Sequence, residues 1–380
     1  MLEDTYAHSP IKKMFERGDV YGVGYDEERA ARKPLRLAII GAGGVAVSKH
    51  IPAIMRLKTI WEPVELVAIC RRNERVGKHI AKMYGCRWYM EYAELLKHEQ
   101  IDGALVLSND EFHAEHSIAC IEKGIAVLVE KPITRSLVDS EKMCCLADKK
   151  KVPLMTVSNK RYSPPYFRAK KFVEKGPVNN PAMLVGKFNL GYDYVHLLEQ
   201  GTIHLYDITR YLMGDVESVS AIACNKYKRN KLTYPIDNAI AAFKFSSGAI
   251  GSLYTSATAL SLKPWERVEV YANKTWLAVE DQCELILYDS EEGPAKSWRP
   301  VVPNTLIFDE EFGGFMGLIE NFLQVIRGAD KPLVTGWDGH KAYELNVATH
   351  LSLSRNETVS LPLEPEPADK ECQSWLSSKC

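Results

Sequence analysis

From residue 35 the chain alternates short apolar runs with amphipathic stretches. Leu35–Ile40, Val64–Cys70, Gly103–Leu107, Ile125–Val129 and Pro153–Val157 are short, largely apolar runs that read as strands, Val64–Cys70 being a β-branched run. Between them lie helical patterns: a stretch with Ile51, Ile54 and Leu57 on one face, Glu74–Tyr84 closed by Gly85, Tyr92–Lys97, Phe112–Lys123 closed by Gly124, and Leu137–Lys149. Continuous apolar strands separated by amphipathic helices predict a parallel sheet covered on both faces, with right-handed crossovers. Residues 35–158 therefore read as a Rossmann domain.

Beyond residue 158 the period changes. One helix, Tyr166–Lys175, precedes Gly176-Pro177, and another, around His204–Met213, ends at Gly214. Period-2 runs follow at Glu217–Cys224, Asn238–Phe245, Ala249–Thr255, Arg267–Tyr271 and Trp276–Glu280. Hairpin signals, Ser246-Ser247-Gly248 and Asn273-Lys274, sit between them. Phe315–Arg327 and Lys341–Leu353 read as late helices. The expected fold class is α/β: an N-terminal Rossmann domain plus a C-terminal α+β domain, residues 159–363, with a large, mostly antiparallel open sheet. Such a sheet leaves one face free, and a homo-oligomer, dimer or tetramer, is the expected use of that face. Residues 1–34 are a charged arm and 364–380 a polar tail.

The first strand stops at Gly41, and the turn that follows reads Gly41-x-Gly43-x-x-Ala46 before the first helix. In this strand–turn–helix context the pattern means dinucleotide binding. The first glycine permits the turn, the second lets backbone approach a pyrophosphate, and the small third residue lets helix and strand pack closely. The helix N-terminus then faces the phosphate charge. The second strand ends Cys70-Arg71-Arg72-Asn73, without the acid that commonly binds the ribose hydroxyls. Two guanidiniums there suit a 2′-phosphate, so NAD(P) is expected with a leaning toward NADP, NAD remaining open.

Composition narrows the partners. The 380 residues carry 48 Lys and Arg against 49 Asp and Glu, a net charge of −1 that points to neither nucleic acid nor membrane surface. No apolar stretch approaches the roughly 18 residues of a membrane span. The first residues are too polar for a secretory leader. The nine cysteines form neither CxxC nor zinc spacing, so no metal is expected, and they read as reduced thiols of a cytoplasmic protein.

Glu130-Lys131-Pro132 follows directly on the strand Ile125–Val129, where ligands of open α/β sheets bind. Pro132 pushes Lys131 toward extended backbone. A cationic nicotinamide nearby lowers the lysine's pKa and makes it a usable acid or base.

Taken together, GAGGVA, Ser108-Asn109…His113, VLVEKPITRS, SNKRYSPPYFRAKKFV, GTIHLYDITRYLMG and TGWDGHKAYELNVATHLSLSRNETVSLP resemble the Gfo/Idh/MocA oxidoreductases, from about residue 35 to 362. The resemblance implies hydride transfer between NAD(P) and a ring hydroxyl or keto carbon of a sugar, glycoside or cyclitol. It implies Lys131 and His204 as catalytic residues. It implies Arg161, Tyr162, Gln200, Asp207 and Tyr234 beside them as substrate-binding residues. Gly41, Gly43, Gly44, Val45, Ala46, Arg71, Arg72, Ser108, Asn109, His113, Glu130, Lys131 and Asn159 are the expected cofactor residues. One departure stands out. The family's Asp-x-x-x-His motif has Gln200 at its acid position, so support for His204 falls to Asp207 at i+3 or, less directly, Glu199. Two alternatives follow from the same residues: a glycoside-cleaving enzyme using tightly bound NAD and transient C3 oxidation, and a non-catalytic sugar- and dinucleotide-sensing regulator.

Overall fold

A computed structural model describes residues 31–59, 62–191, 195–227, 236–259, 264–299 and 313–379. These residues form two compact units. The first holds the described residues of 31–135, 139–163 and 313–339, and the second those of 136–138, 164–299 and 340–379.

The first unit is built on strands β1 (Leu35–Ile40), β2 (Val64–Cys70), β3 (Arg87–Tyr89), β4 (Gly103–Val106), β5 (Ala126–Val129) and β6 (Leu154–Thr156). They form one parallel sheet in the order β3-β2-β1-β4-β5-β6. The order reverses beside β1, so the crevice of a doubly wound sheet opens between the C-terminal ends of β1 and β4. Helices α1 (Ile51–Thr59), α2 (Glu74–Tyr84), α3 (Tyr92–His98), α4 (His113–Glu122) and α5 (Leu137–Lys150) follow the strands as the pattern predicts. Asn73 caps α2 by accepting from the Val76 N–H at 3.1 Å, and Gly85 closes it in the left-handed region. Strands β1, β4 and β5 bury nearly every residue, the burial that a sheet covered on both faces demands.

One helix of this unit comes from far along the chain. Phe315–Ile326 carries Met316, Leu318, Ile319, Phe322 and Leu323 into the same core as Leu37, Ile54 and Leu57. The sequence places this helix after the antiparallel sheet. Its apolar stripe is completed by the first unit, and no local period encodes that destination.

The second unit contains α6 (Pro164–Lys175), α7 (Ile203–Met213) and a nine-stranded sheet. Its strands are β7 (Met183–Asn189), β8 (Val216–Cys224), β9 (Asn238–Phe245), β10 (Ile250–Ser256), β11 (Glu266–Tyr271), β12 (Trp276–Glu280), β13 (Glu284–Tyr288), β14 (Lys296–Trp298) and β15 (Val359–Ser360). Their order is β14-β13-β12-β11-β7-β10-β9-β8-β15. Every pair is antiparallel except β7 with β10. The sequence pattern misses β3, β7, β13, β14 and β15. β3, β14 and β15 are two or three residues long, too short for a period-2 signal, and Gly186 and Lys187 interrupt the apolar run of β7. Along β9 buried and exposed residues alternate, with Ala239, Ala241, Phe243 and Phe245 inside. The Tyr206 ring of α7 meets Phe243 edge-on at 6.3 Å. A long helix, Gly336–Arg355, starts five residues ahead of the expected Lys341. The expected polar tail is helical over Pro365–Lys379 and buries Ala368 and Cys372.

Candidate active site

The turn after β1 is set by one close approach. Gly41 has φ +99°, and a Cβ there would lie 2.3 Å from the Ser108 backbone nitrogen. Only glycine lets the two strand ends meet at the crevice. Gly43 and Gly44 differ: a Cβ on Gly44 meets nothing within 4 Å, and on Gly43 only the Gly41 carbonyl oxygen at 3.9 Å. The protein itself has no steric use for these two glycines, so the space they leave fits a ligand's backbone approach. The chain is helical from residue 44, and Ala46, the third position of the motif, is 1% exposed against the sheet. The arrangement fits a dinucleotide pyrophosphate at the helix N-terminus.

Beside this turn opens a cleft of about 420 Å³. Ile40, Gly41, Ala42 and Gly43 line it from β1, and Arg71, Arg72 and Asn73 from the end of β2. Met90, Glu91 and Tyr92 follow β3, and Ser108, Asn109, Phe112, Glu115 and His116 follow β4. One wall is a ladder of flat groups. The Arg72 guanidinium lies over the Phe112 ring at 5.7 Å, Phe112 stacks near His116 at 5.9 Å, and Tyr92 meets His116 at 4.4 Å. His116 Nδ1 is 2.9 Å from Ser108 Oγ, and the Tyr92 hydroxyl donates to Glu115 at 2.7 Å. Burial holds the His116 imidazole below its ordinary value, with His113 and Arg72 adding to the shift against Glu115. Arg71 has a different use. Its guanidinium donates to the Ala42 carbonyl, and its own carbonyl accepts from the Trp88 indole at 2.9 Å. Met90, Glu91, Tyr92, Phe112 and Glu115 were not singled out from the sequence. All follow strand ends of the sheet, which is the signal that would have found them.

Lys131 stands just past β5 and is half-buried. The Lys131–Pro132 peptide is cis. Glu130, 8% exposed, accepts from the Lys131 backbone N–H at 2.9 Å and lies 3.1 Å from His50 Nε2. Burial pushes Glu130 up, but the His50 hydrogen bond and the charges of His50 and Lys131 outweigh it, so its carboxyl sits below the ordinary value. Burial pushes the Lys131 amine down, against the pull of Glu130 and Asp110. His113 is buried at the head of α4, with Nδ1 2.8 Å from the Pro132 carbonyl oxygen and Nε2 2.9 Å from that of Ser108. It ties the lysine turn to the loop after β4.

At the end of the first unit's sheet, Asn159, Arg161 and Tyr162 are all buried. Asn159 donates to the Gly313 carbonyl at 2.5 Å, and Arg161 to the Leu333 carbonyl at 3.2 Å and to Asp338 at 3.1 Å. The Tyr162 hydroxyl donates to Asn321 at 2.8 Å. These four hydrogen bonds are internal to the unit.

His204 belongs to the second unit. On α7 most positions are buried, Asp207 among them, while His204 and Arg210 are half-buried. The turn before the helix, Leu197–Thr202, is a π-turn, with the Gly201 N–H bonded to the His196 carbonyl. Gly201 presses on Leu190, where a Cβ would lie 2.4 Å from Cδ1. Gln200 accepts from the His196 N–H at 3.2 Å. The carboxylate of this stretch is Glu199, 4% exposed, which accepts from the Tyr343 hydroxyl at 3.5 Å and lies 3.4 Å from His196 Nδ1. Counting residues alone does not reveal this widened turn. Tyr234 lies outside the described residues. Among the described residues no group of three or more His, Cys, Asp or Glu side chains is placed to hold a metal ion.

Comparison with known proteins gives this geometry a class. Residues 35–158 match the NAD-binding Rossmann domain of the GFO_IDH_MocA oxidoreductase family, and residues 196–361 match that family's C-terminal α/β domain. The chain belongs to this family, and it is an oxidoreductase with an NAD-binding domain. Among its relatives is the myo-inositol 2-dehydrogenase of Thermotoga maritima, 26% identical over 338 residues, covering 86% of this chain and 98% of the relative. The D-apiose dehydrogenase of Paraburkholderia graminis is 23% identical over 349 residues, covering 87% and 90%. A levoglucosan dehydrogenase solved with NADH and levoglucosan superposes with a TM-score of 0.79 at 17% identity, covering 87% of this chain and all of that one.

Proposed function

We propose that this protein is an NAD(P)-dependent dehydrogenase or reductase of a sugar, glycoside or cyclitol. The observation that carries it is the pairing of a glycine turn, with cleft space the protein does not fill, and an amine held below its ordinary pKa at the end of β5, two strands along the same sheet. The relatives named above, which act on inositol and apiose, support the substrate class. A nicotinamide cofactor supplies the hydride acceptor or donor. Lys131 and His204 take and return the hydroxyl proton, and burial holds the lysine amine below its ordinary value. Gln200, Asp207, Arg161, Tyr162 and Tyr234 are the further residues we assign to substrate recognition. Gly41, Gly43, Gly44, Val45, Ala46, Ser108, Asn109, His113, Glu130 and Asn159 shape the cofactor side.

We assign the NADP preference to Arg72. It is exposed beside the cleft, whereas Arg71 is turned onto Ala42. We further propose that the open sheet face pairs with a second copy. On it Ile222, Ile240 and Tyr254 stand side by side across three strands, each more than two-fifths exposed, with Ile250 nearby. Eight free thiols among the described residues support a reducing, cytoplasmic setting, and no described helix is long and apolar enough to cross a membrane.

The test is absorbance near 340 nm while inositols, aldoses, levoglucosan and aryl glycosides are offered with NAD and with NADP. Turnover with a polyol that falls at least about 100-fold in Lys131→Ala and in His204→Ala supports the reading. Release of aglycone with no added cofactor would instead favour the glycoside-cleaving alternative. Cofactor binding without hydride transfer to any compound would favour a regulator.

A further inference from the structure

We propose that His50 is a positioning residue for Lys131, acting through the carboxylate of Glu130. The inference rests on the reading of Lys131 as the reacting-end lysine. His50 is the last residue of a π-turn, Ala46–His50, closed by the Ile51 N–H bonding to the Ala46 carbonyl. Turns of this kind are rare and concentrate at functional sites. Its two buried residues are Ala46, which packs the glycine turn, and His50, which is 0% exposed.

The surroundings of His50 leave it one polar task. One ring edge meets the Phe315 ring at 5.1 Å and 84°, and Nδ1 has no hydrogen-bond partner among the described residues. Nε2 donates to Glu130 Oε1 at 3.1 Å. The other carboxylate oxygen, Oε2, accepts from the Lys131 backbone N–H at 2.9 Å. Both oxygens of a buried carboxylate are thus satisfied, one by a side chain from the π-turn ahead of α1 and one by the residue it orients. The carboxylate joins the cofactor helix to the lysine turn. Without a donor at Oε1, burial favours the protonated acid, and a neutral Glu130 no longer supports the charge of Lys131. Among the charged and titratable groups around the lysine are Glu130 beside it, Asp110 on the turn after β4, His113 at the head of α4 and His50 behind Glu130.

The experiment is competitive acetylation of the full chain with acetic anhydride across pH, read as modification of Lys131 by mass spectrometry, without cofactor or substrate. His50→Leu is expected to move the half-labelling pH of Lys131 down by about one unit. His50→Gln keeps an N–H donor and is expected to stay within about 0.3 unit of the parent. Glu130→Gln, which keeps the shape and removes the charge, should reproduce the His50→Leu shift even where the leucine variant folds poorly. The His50→Leu, Glu130→Gln double variant should add nothing to either. An unmoved or upward-moving profile in His50→Leu, additive shifts in the double variant, or failure of His50→Gln to differ from His50→Leu would overturn the proposal. Since the labelling needs no substrate, an enzyme that turns over no polyol would count against the proposed function and leave this inference standing.

Discussion

Replacing Gly41 with alanine tests whether the crevice is built by the close approach of β1 and β4. The backbone at Gly41 has φ +99°, a region in which an L-residue is strained by about 1–2 kcal/mol. The new Cβ would lie 2.3 Å from Ser108 N, 2.4 Å from Ser108 Cα and 2.6 Å from the Leu107 carbonyl carbon. All three are backbone atoms, so no rotamer change relieves them. Ordinary contact begins near 3.4 Å, so the β4 exit must retreat by about 1 Å. Overpacking of that kind adds about 1–3 kcal/mol, for a total of about 2–5 kcal/mol. Ser108 and Asn109 line the cleft and move with the exit, and a misplacement of about 1 Å weakens function by up to about 100-fold. Urea unfolding and NADH fluorescence titration measure the two effects. Gly44→Ala is the control, since its Cβ meets nothing within 4 Å and its backbone is already helical. It should leave stability unchanged or raise it by up to about 1 kcal/mol. Equal stability losses in the two variants, or a Gly41→Ala protein within about 0.5 kcal/mol of the parent, would refute the argument.

Three further outcomes follow from particular contacts. Arg72→Glu should weaken NADPH binding by about 10–100-fold in fluorescence titration and change NADH binding by less than about threefold, since only the 2′-phosphate needs the guanidinium; equal losses would remove Arg72 from cofactor choice. Phe322→Ala empties a fully buried site in the first unit's core and should lower unfolding free energy by about 3–5 kcal/mol in urea. Burial, then the charges of Lys341 and Arg210, hold the His340 imidazole down to about 4 from 6.5. The unfolded chain therefore protonates first as pH falls. The stabilisation is complete above about pH 6.5 and drains away toward pH 4, by about 3 kcal/mol. His340→Gln should flatten that stretch of the stability profile, and an unchanged slope would contradict the assignment.

Much of the first unit was legible because its signals are local. A strand that must be buried on both faces reads as a continuous apolar run, and glycine stops follow from backbone conformation alone, so β1, β2 and α2 begin and end where the pattern puts them. The glycine turn was legible for the same reason, and with it the class of ligand. Lys131 was found by its place after a strand. Its neighbours His50 and Asp110 were not, since each reaches it from another strand–helix connection.

What only the tertiary structure decided concerns pairing over long separations and the exact pitch of a turn. The apolar stripe of Phe315–Ile326 is plain in the sequence, but its partner core, residues 37–57 among others, lies far back along the chain. Arg71 and Arg72 are adjacent and chemically alike, and only packing sends one guanidinium to the Ala42 carbonyl and the other over Phe112. The two π-turns, before α1 and before α7, each widen a helix by one residue. That widening changes which side chains share a face: it buries His50 in one unit, and it sets the buried Glu199 and the half-buried Gln200 ahead of His204 in the other. A period of 3.6 does not anticipate such turns, which lie against residues distant in the chain or brought there by the fold, Leu190 beside Gly201 and Phe315 beside His50.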